Sequence, residues 1–200
     1  MKDFSFDYMF DKVKEAFSQF TFLSPKDLYQ LASVAKLGTL KKDEHLLKEG
    51  DLYYHGVIVM KGLLRHYVID ENGNEKTLRF VPEKKIAAMI DTIFHNKPAT
   101  ENIMTLEDSV FLKFDIREMD RLVSDNIRLL KLQNQFYKDV ISDNVEQIKF
   151  LTVLSAEERY NYFCKTYPNL EQRVKQKHLA SYLGVTDTSL SRIRSRIVKS

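Results

Sequence analysis

QKHLASYLGVTDTSLSRIRSRI, residues 176–197, decides the fold of this chain, because it reads as a helix, a tight turn and a second helix that carries arginines. Leu179, Ala180 and Leu183 stand at i, i+1 and i+4, so a helix over 176–183 buries them together. Gly184 ends that helix, since glycine accepts the left-handed backbone that other residues resist, and Val185 follows as the apolar plug of the turn. Thr186 caps a second helix predicted from Asp187 to about Val198, with Leu190, Ile193 and Ile197 as its buried stripe and Asp187 at its positive end. The competing reading is an ordinary helical hairpin with a solvated basic face. A small residue in the fifth place (Ala180), glycine in the ninth (Gly184) and an aliphatic residue in the fifteenth (Leu190) favour two helices crossing steeply, as in a helix-turn-helix.

The other face of the second helix carries Thr188, Ser189, Ser191, Arg192, Ser195 and Arg196. Small hydroxyl side chains permit close approach to a groove, and arginine can make a two-pronged hydrogen bond to guanine or hold a phosphate. The candidates for reading bases in double-stranded DNA are therefore Asp187, Thr188, Ser189, Ser191 and Arg192. Those for gripping phosphates are Lys175, Lys177, Thr186, Arg194, Arg196 and Lys199. Charge points the same way. The chain carries a net +3, but residues 171–200 hold seven basic side chains against two acidic ones, so the first 170 residues are slightly acidic.

Two hundred residues with 44% hydrophobic content suit one or two small domains that need no disulfides. No run of about 18 apolar residues and no leader pattern is present, so the chain is expected to be cytoplasmic with no membrane partner. The single cysteine, Cys164, lies between aromatics and is expected to be buried and inert.

Residues 1 to about 36 are expected to be helical, with Phe10, Val13, Phe17 and Phe20 on one face and a fresh start at Ser24-Pro25. From 37 to 115 short strands are predicted at HGVIVMKG, LLRHYVID, KTLRFV, ENIMTL and SVFLKFD, separated by turn residues such as Asn72-Gly73, which suggests a small antiparallel sandwich or barrel. A long helix follows over about 127–152. Tyr137, Ile141, Val145, Ile148 and Leu151 form one apolar stripe on it, and Leu129, Leu132, Phe136 and Val140 form a second. Two stripes imply two burial partners, the sandwich and the same helix of a second subunit, so Tyr137, Ile141, Val145 and Ile148 are assigned to a homodimer interface. Ser155 and Glu158 form a capping box for a helix over 156–167. The fold class is α+β: residues 1–152 form a β-roll (jelly-roll) domain with N-terminal helices and the dimerisation helix, and 153–200 a helix-turn-helix domain.

This order of elements, closing on SLSRIRSRI, resembles the Crp/Fnr family of transcription regulators, in which a cyclic-nucleotide-binding-like β-roll governs a winged-helix-like DNA-binding domain. KGLLRHYVIDENGNEKTLRFV resembles the family's strand hairpin, and Ser191-Arg192 align with a serine and arginine that many such regulators present to bases. The resemblance implies a twofold dimer on a palindromic operator, with one recognition helix in each of two successive major grooves, and RNA polymerase as a further candidate partner. Many relatives carry glutamate where this chain has Thr188, so no target sequence transfers. The sequence stops at Ser200, so the wing of many relatives is expected to be absent and phosphate grip to come from the basic residues named above.

Relatives that bind cyclic AMP use a glycine-glutamate pair and an arginine in one segment of the roll. Ala87-Ala88 and Pro98-Ala99 stand near those places here, and no arginine occurs between Arg79 and Arg117. An anionic phosphate without a guanidinium keeps its desolvation cost and loses its main attraction, so cyclic AMP is not expected to bind and no cofactor is assigned. An unknown small-molecule effector stays open, with Met60, Ala87, Ala88, Met89, Ile90 and Met104 as its candidate apolar pocket and plain core as the alternative. Five scattered histidines lack metal-motif spacing, so no metal is expected. No nucleophile triad, glycine-rich phosphate loop or carboxylate cluster supports an enzyme, and no catalytic residue is assigned. The expected function is a sequence-specific, homodimeric DNA-binding transcription regulator. The alternative is a ligand- or protein-binding β-roll with degenerate, non-specific DNA binding.

Overall fold

The computed structural model describes residues 5–197. Helix α1 (Phe6–Ala16) is capped by Ser5, and α2 (Pro25–Val34) opens with a complete capping box between Ser24 and Asp27 and with proline in its first turn. Strands β1 (Ala35–Leu40), β2 (His45–Leu47), β3 (His55–Lys61), β4 (Leu64–Ile69), β5 (Glu75–Val81) and β6 (Ile86–Ala87) follow, then α3 (Ile90–His95), β7 (Asn102–Thr105) and β8 (Ser109–Asp115). The rest is helical: α4 (Ile116–Ser124), α5 (Ile127–Val153), α6 (Ala156–Thr166), α7 (Leu170–Arg173), α8 (Gln176–Tyr182) and α9 (Asp187–Ile197).

The strands build two four-stranded sheets in the orders β1-β8-β3-β6 and β2-β7-β4-β5. The β1–β8, β3–β8, β3–β6 and β2–β7 pairs are antiparallel, as the alternating strand pattern predicts. Leu47, Val57, Val59, Leu64, Ile103 and Phe111 pack between the sheets. Gly38 faces Phe111 in register, and a side chain there would strike the ring, so only glycine lets that phenylalanine fill the inner face. The outer face of the first sheet presents Ile58, Leu112 and Phe114 to the helices, where they meet Val13, Phe17, Leu31, Met119, Val123, Leu129 and Leu132.

Packing divides the chain into two units: the residues up to His66 with Phe80–Lys138, and Tyr67–Arg79 with the residues from Asp139 onward. The division runs through the β4–β5 hairpin and through α5, while α5 itself ends at Val153.

Three local expectations are corrected. The first helix stops at Ala16 instead of continuing past Phe20. Phe17 forms its C-cap, and in the turn that follows the Phe17 and Phe20 rings meet Phe136 edge-on at 6.2 and 5.6 Å. Tertiary stacking outweighs the helical spacing of those phenylalanines. Inside the region read as strands, α3 closes on a left-handed Asn96, where Thr92 Oγ1 donates to the Lys97 carbonyl at 2.8 Å. The 168–175 segment, read as a break, contains the single turn α7, entered through left-handed Asn169.

Asp27 ties the helical layer together. It is fully buried, accepts from the Ser24 backbone at 2.7 Å, from Asn126 Nδ2 at 2.7 Å and from Arg128 at 2.6 and 3.1 Å. Burial by itself pushes the carboxyl up, but the donors Arg128, Asn126 and Ser24 outweigh it and hold the group well below the usual carboxylate range. Such a group contributes fully above the unfolded aspartate value near 4 and loses its contribution as pH falls toward the folded value. We therefore expect Asp27→Asn to cost about 2 kcal/mol in urea unfolding at neutral pH. The gap from wild type should narrow as the pH is lowered below about 4; a gap independent of pH would show that the carboxylate charge is not what matters.

Candidate nucleic-acid interface

The helix pair α8 and α9 is built by the residues that the pattern picked out. Leu179, Ala180, Leu183, Leu190 and Ile193 are buried. Gly184 adopts φ +67°, its N–H donates to the Ser181 carbonyl at 3.1 Å, and the Val185 N–H donates to the Ala180 carbonyl at 3.0 Å. Those two bonds close the last turn of α8 in the manner of a Schellman motif, which needs a left-handed residue at this place. Thr186 Oγ1 accepts from the Ser189 N–H at 3.2 Å and caps α9.

Arginine 159 holds the pair against the helices before it. Its Nε donates to the Leu183 carbonyl at 2.8 Å, and its Nη1 to the carbonyls of Leu154 at 2.8 Å and Leu151 at 3.3 Å. One guanidinium thus satisfies carbonyls at the C-terminal ends of two helices, where acceptors otherwise lack partners. Phe150 and Phe163 pack on the Tyr182 ring at 5.2 and 5.6 Å, and the buried Tyr182 hydroxyl donates to Gln147 at 3.1 Å.

On α9 the candidate base readers are not equivalent. Asp187, Thr188, Ser191 and Arg192 are exposed and Ser189 is half-buried, its hydroxyl engaged by the Thr186 cap at 3.0 Å. Ser191 Oγ donates to the Asp187 carbonyl at 3.1 Å and accepts from Gln176 Nε2 at 3.1 Å. Arg192 and Thr188 are exposed and form no ion pair or side-chain hydrogen bond with any described residue.

The candidate phosphate ligands divide too. Lys175 and Lys177 are exposed at the start of α8. Arg194 is instead drawn inward: its Nε pairs with Glu171 at 2.9 Å, its Nη1 donates to Gln176 at 3.2 Å, and its guanidinium lies 5.9 Å from the centre of the Tyr160 ring. Arg196 is exposed and lies 3.6 Å from Glu157. Lys199 lies outside the described residues.

The cluster around Glu171 was missed by spacing, because Glu171 lies on a different helix from Tyr160 and Cys164, and Arg194 is distant along the chain. Tyr160 donates to Glu171 at 2.5 Å and the Cys164 thiol lies 3.6 Å from its other oxygen. Burial, then the neighbouring Glu171 charge, pushes the thiol up, so little thiolate forms. Cys164 is nonetheless half-exposed, which corrects the expectation of full burial. His178, by contrast, is buried, only 5% exposed.

The two stripes of α5 differ in burial. Leu129 and Leu132 are fully buried and Phe136 is partly so. Ile141 and Ile148 are each 63% exposed, with Val145 and Leu151 also open, so the described residues leave much of this stripe uncovered. Tyr137 is set apart from it, half-buried with its ring 5.1 Å from that of Phe94.

In the roll, Ala87 and Met89 sit in the inter-sheet core together with Ala99, while Met60 packs on the opposite, helix-covered face. Ala88, Ile90 and Met104 are half-buried, and the Met104 sulfur accepts from Arg65 at 3.9 Å. The candidate pocket residues are therefore not brought to one surface. Among the described residues no group of three or more histidine, cysteine or acidic side chains is placed to hold a metal, and no helix is long and apolar enough to cross a membrane.

Residues 37–126 match the model of the cyclic nucleotide-binding domain family. No curated protein matches the chain. Among solved structures, FixK2 from Bradyrhizobium japonicum is 15% identical, with a TM-score of 0.71 over 83% of this chain and 85% of that one. A CooA mutant from Carboxydothermus hydrogenoformans is 19% identical, with a TM-score of 0.65 over 84% and 78%. The c-di-GMP responsive global regulator CLP of Xanthomonas campestris is 12% identical, with a TM-score of 0.68 over 88% and 92%. Two antiparallel sheets, a long helix and a terminal helix pair thus give this chain the fold of the Crp/Fnr regulators, and residues 37–126 match the cyclic nucleotide-binding domain model.

Proposed function

We propose that the chain is a homodimeric, sequence-specific DNA-binding transcription regulator that works in the cytoplasm, with α9 as its recognition helix. The observation that carries this reading is the contrast between two arginines two residues apart. Arg194 is spent on Glu171 and Gln176, whereas Arg192 stands exposed and uncommitted among the hydroxyls of Thr188 and Ser191. An uncommitted guanidinium on a helix face of small side chains suits the two-pronged pairing with guanine in a major groove. Lys175, Lys177 and Arg196, exposed around it, supply phosphate contacts.

The exposed stripe Ile141, Val145, Ile148 and Leu151 favours a second copy of the chain as its cover. Pairing along a long helix hides such a seam and sets two recognition helices about 34 Å apart, one turn of DNA. The roll is read as a divergent effector domain that does not bind cyclic AMP. Ala87 and Ala99, buried hydrocarbon side chains in the core, offer no donor to a phosphate.

Selection of the purified protein against a random duplex pool at near-physiological salt tests the whole reading: a palindrome should be enriched. Retention of all sequences alike, with strong salt dependence, would favour a roll whose helix pair binds DNA without specificity. Arg192→Ala should cost about 1 to 3 kcal/mol on the selected site and relax preference at one base pair per half-site. Arg194→Ala should instead lower the stability of the C-terminal unit by about 1 kcal/mol in thermal unfolding, while Arg192→Ala leaves it unchanged. Ile141→Asp should give monomers in analytical ultracentrifugation and abolish tight operator binding; a surviving dimer would place the interface elsewhere.

A further inference from the structure

The inner faces of the two sheets are apolar along most of their length, but one end of the space they enclose is not. Lys36 of β1 and Lys113 of β8 stand directly opposite each other in register, on the face that carries Gly38 and Phe111 further along. Like charges directly opposite across an antiparallel pair repel, and neither lysine forms an ion pair or hydrogen bond with a described residue. Next along β8, Asp115 faces His55 of β3, but this carboxylate is taken by Arg117, which it holds at 2.7 and 3.0 Å. The neighbourhood of His55 therefore keeps an excess of positive charge from Lys36 and Lys113.

Behind the lysines lie two polar atoms with nothing to bond. The Tyr53 hydroxyl and His55 Nδ1 are both shielded from solvent and have no hydrogen-bond partner among the described residues. Their rings lie 5.0 Å apart, and Lys113 Nζ lies 6.0 Å from the centre of the Tyr53 ring. Buried polar atoms are nearly always satisfied, and an unsatisfied one is destabilising because it has given up its water without a replacement. Two such atoms beside two opposed, unneutralised lysines share one remedy, an acceptor of negative charge.

We propose that the Lys36, Lys113, His55 and Tyr53 end of the roll binds a small oxyanion of phosphate size. The lysine ammonium groups neutralise it, and Tyr53 and His55 donate to its oxygens. A small ion fits better than an acidic protein partner, because the Tyr53 hydroxyl and the His55 Nδ1 are shielded from solvent and out of reach of a protein surface. Burial and the Lys113 charge keep His55 neutral in the unliganded chain, which a bound anion would oppose. The site uses none of the Ala87 or Ala99 side chains, although Lys113 and Ala87 both lie opposite Val57 in one cross-strand row, and it does not rest on the DNA reading.

The test is a titration of the full chain with inorganic phosphate against chloride at constant ionic strength, followed by the His55 ring resonances in NMR. Wild type should show saturable shifts. Lys113→Met should bind phosphate about tenfold more weakly, and Tyr53→Phe should bind it more weakly than wild type. In chloride alone Lys113→Met should unfold at a higher temperature than wild type, since a repulsion has been removed. Shifts that fail to saturate, or that are the same in wild type and Lys113→Met, would overturn the proposal. An unfolding temperature in chloride that falls on losing Lys113 would do the same, because it would show that the lysine pair is not in conflict.

Discussion

The stripe through Leu129 and Leu132 has to leave water, and the outer face of the β1-β8-β3-β6 sheet is what receives it. Much of the first unit follows from that demand. Helices α1, α2 and α4 crowd onto the same surface, Phe17 and Phe20 turn out of their helical spacing to stack on Phe136, and Asp27 is buried where α2 meets the start of α5. A buried carboxylate is tolerable only when donors surround it, and Arg128 and Asn126, at the entry to α5, are those donors. The same helix then carries a second stripe that the described residues leave largely uncovered. Long apolar side chains left open in register are a feature of surfaces that associate.

In the second unit the deciding economy concerns guanidinium groups. Arg159 is consumed by the carbonyls at the ends of α5 and α8, and Arg194 by Glu171, Gln176 and the Tyr160 ring. Both act as struts that set the position of α9. Gln176 joins them, since its amide reaches both Ser191 and Arg194. Rigid support behind a helix face restricts where an exposed side chain such as Arg192 can reach, and a guanidinium makes a bidentate contact only in a defined geometry.

The space between the sheets is equally divided in character. Val57, Val59, Met89, Ala99 and Phe111 fill its middle with hydrocarbon. Its polar end, around Lys113 and His55, concentrates charge that the apolar middle cannot answer. A roll of this kind can keep its sheets packed while its chemistry is moved from one end of the interior to the other.

Local chemistry alone determined the helix pair. Gly184 has the positive φ that its place after Leu183 demanded, Thr186 caps, and Ser24 and Ser155 close the capping boxes that their neighbours announced. These are interactions within a few residues, so spacing contains them. The strands and the burial of Leu129 and Leu132 were legible for the same reason, as periodic patterns of apolar side chains. Tertiary structure decided the rest: that Arg194 turns inward while Arg192 does not, that His178 is buried, that Met60 and Met89 face different cores, and that Lys36 meets Lys113. Each of those depends on a partner on another element, brought close by packing, and a charge or an imidazole has no preferred environment until its neighbours across that distance are in place.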